Sequence, residues 1–589
     1  MKKIIRREHF SDDHLPNSLP PIIKQIYACR GVQTAKQLDL KVANLEGLSA
    51  VEGTSYALKG LDDASALLYQ ALLDNTNIII VGDFDADGAT STALMMVALS
   101  SMGSSNHSFL VPNRFEYGYG LTPEIVDIAA SQGAEMLVTV DNGISCVAGV
   151  NRAKELGLQV IVTDHHLPGH ELPKADAIVN PNQPNCPFPS KSLAGVGVAF
   201  YVMLALRSYL REKNYFAKQN INEPNIAQLL DLVALGTVAD VVSLDGNNRI
   251  LVEQGLKRIR AGQTRPGIQA LIEIANKNQQ RLVASDFGFA LGPRINAAGR
   301  LDDMSYGINC LLAPDLISAR AMAVELDDLN KARREIEQGM QIEAESVFKS
   351  LSFDEHNLPS AIALYQQDWH QGVIGIVAGR LKEKYHRPCI VFAKGKDDEQ
   401  RQSEGQEIKG SARSIPGLHI RDLLEHIDSQ NPGLILKFGG HAMAAGLSIN
   451  LKNFEKFQKV FNELASQWLK AEDLQSIILS DGELDTNHIT LSFAEQLRDA
   501  GPWGQNFPEP LFDGVFSLIQ QRIVGEKHLK LVLEKAGVVI DGIAFNVDLK
   551  AWPNPKAKQV HLAYRLDVNE FRGKRTVQLM VEHLTVAES

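Results

Sequence analysis

The segment NIIIVGDFDADGATSTA, residues 77 to 93, places Asp83, Asp85 and Asp87 at alternate positions and follows them with Gly88. Acids in that pattern could belong to a calcium loop of the EF-hand kind, which also needs a bidentate glutamate at its twelfth position. The twelfth position here is Leu94, and the run IIIV at 78–81 is too short and too β-branched for an EF-hand's entering helix. The acids therefore stand at the end of a buried strand. Two further apolar runs finish in the same chemistry. LVTV at 137–140 runs into Asp141, Asn142 and Gly143, and VIVT at 160–163 runs into Asp164, His165 and His166. A further acid, Asp240, closes the helical run LLDLVALGTVAD.

Ligands of an open parallel sheet bind beyond the carboxyl ends of its strands, so these groups are expected to converge. Taken singly, a DNG triplet is most often a turn and a loop histidine pair is most often a surface or core feature. Taken together those readings weaken, because acids gathered at one sheet edge repel one another unless a cation sits among them. The set contains no cysteine. Carboxylates with one or two imidazoles suit Mn²⁺ or Mg²⁺. A bridging carboxylate such as Asp141 would hold two ions about 3.5–4 Å apart, the spacing of two-metal phosphoester hydrolysis.

The elements that must position these groups follow from periodicity. Strands are predicted at 78–81, 137–140 and 160–163, with helices at 89–102, 123–132 and 146–156 between and after them, a parallel sheet with crossover helices. Helices are also predicted at 226–239 and 247–260. The stretch LGPRINAAGRLDD, rich in Gly and Pro, reads as a structured loop. A long helix from about 315 to 350 repeats Met322, Leu326, Leu329, Ile336, Met340 and Val347 at helical spacing. A second α/β pattern begins near 360 and closes with FGGHAMAAGLSI. From about 470, alternating apolar segments broken by Gly and Pro predict a small β-barrel.

With 589 residues, 44% of them hydrophobic, the chain is long enough for several conventional cores. A net charge of −11 argues against a general coat for polyanions. The basic excess is local: residues 521–580 hold eleven Lys and Arg against six Asp and Glu. Cys29, Cys146, Cys186, Cys310 and Cys389 are too scattered for a metal knuckle or a disulfide framework. No apolar run is long enough for a membrane span, and MKKIIRREHF is not followed by a signal-peptide core, so the expectation is a cytoplasmic protein with no membrane partner.

DFDADGATSTA, VDNGIS, TDHH and GTVADVV, in that order, resemble the four motifs of the DHH phosphoesterase superfamily. GPRINAAGRLDD, GSARS at 410–414 and GGHAMAAG at 439–446 resemble its RecJ branch of single-stranded-DNA-specific 5′→3′ exonucleases. The resemblance runs from about residue 50 to 450, and the barrel is similar to that branch's OB fold. It implies an N-terminal segment (1–55), a parallel-sheet DHH catalytic domain (56–314), a connector helix (315–350), a second α/β DHH-associated domain (351–468) and an OB-like nucleic-acid-binding domain (469–589).

The resemblance also implies roles. Asp85, Asp87, Asp141, His165 and Asp240 match metal ligands for two Mn²⁺ or Mg²⁺ ions. Asp83 is grouped with them, although it occupies the place of a metal-binding histidine in many members of the superfamily. His166 is expected at the scissile phosphate, with Asp164 orienting its neighbours. Phosphate recognition falls to Arg114, Arg294, Arg300, Ser411, Arg413 and His441, a surface ion pair being the alternative for Arg294 or Arg300. Arg413 is expected in a Gly/Ser-rich turn, and His441 either at a ligand or at a helix start. The implied activity is release of 5′-mononucleotides from single-stranded DNA by a monomer. Recombination and repair are the implied setting, with a single-strand-binding protein and a RecQ-type helicase as partners. Two other functions remain open at this level: a phosphodiesterase for cyclic dinucleotides or very short oligonucleotides, and a non-catalytic replication scaffold.

Overall fold

The computed structural model describes residues 2–47, 58–113, 116, 117, 119–350, 358–395, 406–571 and 573–587. The run Ile78–Val81 is a strand whose four side chains are all fully buried. β-Branched residues covered on both faces are what a central parallel strand requires. Its sheet has five parallel strands in the order His107–Leu110, Ile78–Val81, Met136–Val140, Gln159–Thr163, Ala177–Val179. Val81 pairs with Thr139 and Val140 with Thr163, so the strand ends that precede the acids lie side by side. The crossover helices Ala86–Ser101, Pro123–Ser131 and Val147–Glu155 are those the periodicity predicts. Helices Gly195–Glu212, Leu230–Ala239 and Gly246–Arg260 pack in the same core.

The chain forms two compact units, Arg6–Asn330 with Ser480–Ser589, and Met1–Ile5 with Lys331–Leu479. In the larger unit the carboxyl-terminal region closes a five-stranded barrel, with strands ordered Phe512–Val524, His528–Lys535, Val538–Ala544, Lys574–Val586, Gln559–Phe571. Its core is continuous with that of the parallel-sheet fold. The N-terminal segment contributes the helix Pro21–Cys29, after which Arg30 forms a buried bidentate pair with Asp481 at 2.8 and 2.9 Å.

The smaller unit holds a mixed sheet in the order Lys437–Gly440, Ala444–Asn450, Glu407–Arg413, Cys389–Lys394, Ile362–Tyr365, flanked by helices Ile374–Tyr385, Ile420–Gln430 and Phe454–Trp468. The predicted long helix is present as Leu316–Ser350.

Three local expectations are corrected. The segment read as a loop is the helix Gly292–Leu301, preceded by a π-turn at Phe287–Leu291. Pro293 lies in the first helical turn, where no intrahelical N–H is lost. Its glycines serve close packing: a Cβ on Gly299 would stand 1.9 Å from the Phe84 carbonyl oxygen. Arg413 is not in a turn but ends the strand Glu407–Arg413, paired with Ala444 on one side and Cys389 on the other. Gly410 belongs there because a Cβ would meet the Phe392 ring at 2.5 Å. His441 starts no helix. It sits at a hairpin tip, its N–H donating to the Ala444 carbonyl at 2.8 Å.

Candidate metal centre

Each acid is held in place by backbone that its own strand end supplies. Asp85 caps the helix Ala86–Ser101: one carboxylate oxygen accepts from the Asp87 and Gly88 N–H groups at 2.9 and 3.0 Å. The Ala86 N–H donates to Asn296 Oδ1 at 2.7 Å, so the helix Gly292–Leu301 props the acidic loop from behind. Asp87 points at another helix start, where the Gly195 and Val196 N–H groups donate to its two oxygens at 2.6 and 2.9 Å. Partial positive charge at a helix N-terminus suits a buried carboxylate. Asp141 has a left-handed backbone, φ +61°. The next residue, Asn142, donates its amide to the carbonyls of Val81 and Val140, tying two strand ends together. A Cβ on Gly195 would stand 2.6 Å from that of Asp141.

Asp164 organises both histidines. Its Oδ1 accepts from the His165 and His166 N–H groups and lies 2.7 Å from His166 Nδ1, and its Oδ2 accepts from the Ile144 N–H. Asn182 and Asn180 hold the carbonyls of His165 and His166 from the other side. The His165 ring is thereby aimed into the acids, with Nε2 3.1 Å from Asp141 Oδ1, 3.5 Å from Asp240 Oδ2 and 4.0 Å from Asp87 Oδ2. The Tyr119 hydroxyl donates to the Asp141 carbonyl at 3.1 Å and lies 3.3 Å from the His166 ring nitrogens.

Three overlapping groups bring donor atoms within 4.8 Å of one another: Asp83, Asp85 and Asp141; Asp87, His165 and Asp240; Asp141, His165 and His166. The electrostatics of these groups without a cation are adverse. Burial, then the charges of neighbouring acids, push Asp141 and Asp240 well above the ordinary aspartate range and Asp87 up to about 7. Asp164 goes the other way: burial raises it, but its hydrogen bond to His166 and the charges of both imidazoles hold it below its ordinary value. Burial lowers His166, but the Asp164 carboxylate overrides it and brings the imidazole to about 9. Asp240 Oδ2 is buried and accepts no hydrogen bond among the described residues. Buried carboxylates in excess, with hard oxygen donors and an imidazole nitrogen, fit divalent cations of the Mn²⁺ or Mg²⁺ class.

The phosphate-recognition residues divide. Arg114 lies outside the described residues. Arg294 is engaged with Asp327, at 2.9 Å from Nε and 2.8 Å from Nη2, and donates to the Ala290 carbonyl. Arg300 is half-buried in the last turn of the helix Gly292–Leu301. In the smaller unit, Arg413 Nη1 donates to the Ala412 carbonyl and to Ser411 Oγ, and no carboxylate among the described residues pairs with it. A Cβ on Gly375, in the first turn of the helix Ile374–Tyr385, would stand 2.9 Å from Arg413 Nη2 and 3.0 Å from Ser411 Oγ. Guanidinium, hydroxyl and helix N-terminus together make a nook suited to a phosphate. Sequence reading passed over Asn296, Tyr119 and the Gly195 and Val196 amides. The Gly-Val-Gly opening of the helix Gly195–Glu212 is the one local sign of the last.

The chain resembles known proteins along nearly its whole length. Residues 77–237 match the DHH family N-terminal domain, 358–467 the DHHA1 domain and 480–583 the RecJ OB domain. The chain is 56% identical over 582 residues to the single-stranded-DNA-specific exonuclease RecJ of Dickeya dadantii, covering 98% of each chain. It is 56% identical over 581 residues to that of Escherichia coli K12, again covering 98% of each. The crystal structure of Thermus thermophilus RecJ in complex with Mn²⁺ superposes with a TM-score of 0.76 at 28% identity, over 97% of this chain and 77% of that one. The Mg²⁺ complex of the same protein gives 0.71 at 26% identity, over 97% and 76%. A sheet edge that gathers acids and imidazole around a place for divalent cations, matched along nearly the whole length of such relatives, makes this chain a member of the RecJ family.

Proposed function

We propose that the chain is an exonuclease specific for single-stranded DNA, degrading from the 5′ end to 5′-mononucleotides by metal-assisted hydrolysis. The observation that carries this reading is the aim of His165, Asp141, Asp87 and Asp240 into one point beyond the sheet, with the acids raised by burial and then by one another's charge. Asp83, Asp85, Asp87, Asp141, His165 and Asp240 would hold two divalent cations. When bound, such a pair supplies Lewis-acid polarisation of the phosphate and a nucleophilic water at neutral pH.

The chain's own groups do the rest. His166, charged up to about pH 9, is a hydrogen-bond donor for an oxygen of the scissile phosphate. Asp164 fixes that ring and keeps its charge, and Tyr119 steadies the other side of it. The helix start at Gly195, with the neighbouring imidazoles, offsets part of the cost of charging the buried Asp87. On the smaller unit, Arg413 and Ser411 are assigned to the terminal 5′-phosphate, and Arg300, His441 and Arg114 are assigned to phosphate recognition. Arg294 would join them only by exchanging Asp327 for phosphate. The barrel provides a sequence-tolerant surface for the strand beyond.

The family setting further supports a role in DNA recombination and repair, a cytoplasmic location and a monomeric enzyme working beside a single-strand-binding protein and a RecQ-type helicase. Among the described residues no helix is long and apolar enough to cross a membrane. The test is digestion in Mn²⁺ of a 5′-labelled single strand, a 3′-labelled one and a duplex. The expected result is immediate release of labelled mononucleotide from the 5′-labelled strand, progressive shortening of the 3′-labelled one and an intact duplex. Label released first from the 3′ end would reverse the polarity assigned here.

A further inference from the structure

Val241 follows Asp240 directly and has a left-handed backbone, φ +61°. A β-branched residue is strained there, and glycine or asparagine would end the helix Leu230–Ala239 at lower cost. The valine side chain gains little packing in return, since it is 62% exposed. A second irregularity lies against the same helix end. In the π-turn Phe287–Leu291 the two terminal side chains are fully buried, while Phe289 between them is 81% exposed. Gly288 and Gly292 bring this turn onto the last residues before Asp240: Cβ atoms there would stand 3.7 Å from Val238 Cγ1 and 3.0 Å from Ala239 Cβ. Irregular helical turns of this kind concentrate at functional sites. Leu167, beside His166, is exposed as well.

We propose that Val241 and Phe289 form an apolar contact for a nucleobase of the single-stranded substrate, at the rim of the acidic cluster. The proposal rests on the nuclease reading above. A phosphate held at the cluster lies beside Asp240, whose chain neighbour is Val241, and Gly288 and Gly292 set the turn that carries Phe289 against the end of the same helix; the acids there disfavour an acidic protein segment as occupant. Neither side chain carries a hydrogen-bonding group, so the contact grips any base alike, as a nuclease without sequence preference requires.

The test uses the full chain carrying Val241→Asn or Phe289→Ala, with KM and kcat measured on a normal single strand and on one whose 5′-terminal residues are abasic. Each variant is expected to raise KM on the normal strand roughly tenfold, with kcat and Mn²⁺ affinity close to wild type, and to leave KM on the abasic strand unchanged. The Val241→Asn unfolding midpoint is expected at or above that of the wild type, since the strain is relieved. Unchanged KM on the normal strand, an equal rise on both strands, or a lowered Val241→Asn midpoint each overturns the proposal. A wild-type chain that leaves single strands intact removes the nuclease reading, and this contact with it.

Discussion

Asp141 is the residue on which the two halves of the acidic cluster meet: it belongs to one donor group with Asp83 and Asp85 and to another with both histidines. Asp141→Asn keeps the shape and removes the charge. It is expected to lower hydrolysis by at least about a thousandfold at saturating substrate, to abolish the rise in unfolding midpoint that Mn²⁺ gives, and to leave the metal-free midpoint no lower. A lower metal-free midpoint would mark the residue as structural. A second expectation concerns pH. Burial, then the Asp85 charge, raise Asp87 from its ordinary 3.8 to about 7. Between those values the folded chain keeps a proton that the unfolded chain has lost, so the contribution is full below 3.8 and is lost as pH rises through about 7. In EDTA the unfolding midpoint should therefore fall between about pH 4 and 7, and added Mn²⁺ should restore more of it at the higher pH. A flat EDTA profile would contradict the raising of Asp87 by burial and the neighbouring acid. Asp83 and Asp141 were legible in the sequence because each stands within two positions of the end of an apolar strand, with Asp85 and Asp87 alternating after the first. Asn296 and Gly195 were not, because they reach the site from segments 210 and 108 positions away from Ala86 and Asp87.

The helix Gly292–Leu301 shows how an element can carry a site without contributing to its charge. It closes on the acidic loop through the Asn296 side chain and through Gly299, whose missing Cβ makes room for the Phe84 carbonyl. Gly299→Ala is expected to cost about 1–3 kcal/mol of stability and to weaken Mn²⁺ binding as Asp85 is displaced. Denaturant unfolding and Mn²⁺ titration would check it, and an unchanged Mn²⁺ affinity would separate the helix from the site. The sequence misled here for a physical reason. Gly and Pro are read as breakers when only the local chain is considered, whereas these stand where proline is tolerated and where another backbone passes too close for a side chain. The same holds for GSARS, whose glycine accommodates Phe392 inside a sheet. The parallel strands, by contrast, were plain, because full burial writes itself as an unbroken β-branched run.

At the scale of the molecule, the barrel and the parallel-sheet fold share a unit and a core, and Arg30, after the N-terminal helix, pairs with Asp481 of the carboxyl-terminal region with both side chains almost fully buried. Arg30→Ala leaves the buried Asp481 with only Arg7, at 3.5 Å, as a counter-charge and is expected to cost about 1–3 kcal/mol. Deleting residues 480–589 would expose the same core. It is expected to lower the unfolding midpoint of the remaining chain, and an unchanged midpoint would show the barrel to be detachable. Arg413→Ala belongs to the smaller unit and should act differently. It should raise KM on strands with a 5′-phosphate by roughly 10–100-fold and barely affect strands with a 5′-hydroxyl. Equal effects on both would remove the terminal-phosphate assignment.

The central claim is that divalent cations sit among Asp85, Asp87, Asp141, His165 and Asp240, and anomalous diffraction from crystals grown in Mn²⁺ tests it most directly. The account predicts two manganese peaks inside that cluster, about 3.5–4 Å apart, with Asp141 between them. Density free of manganese there, in crystals where the cluster is otherwise ordered, would contradict it.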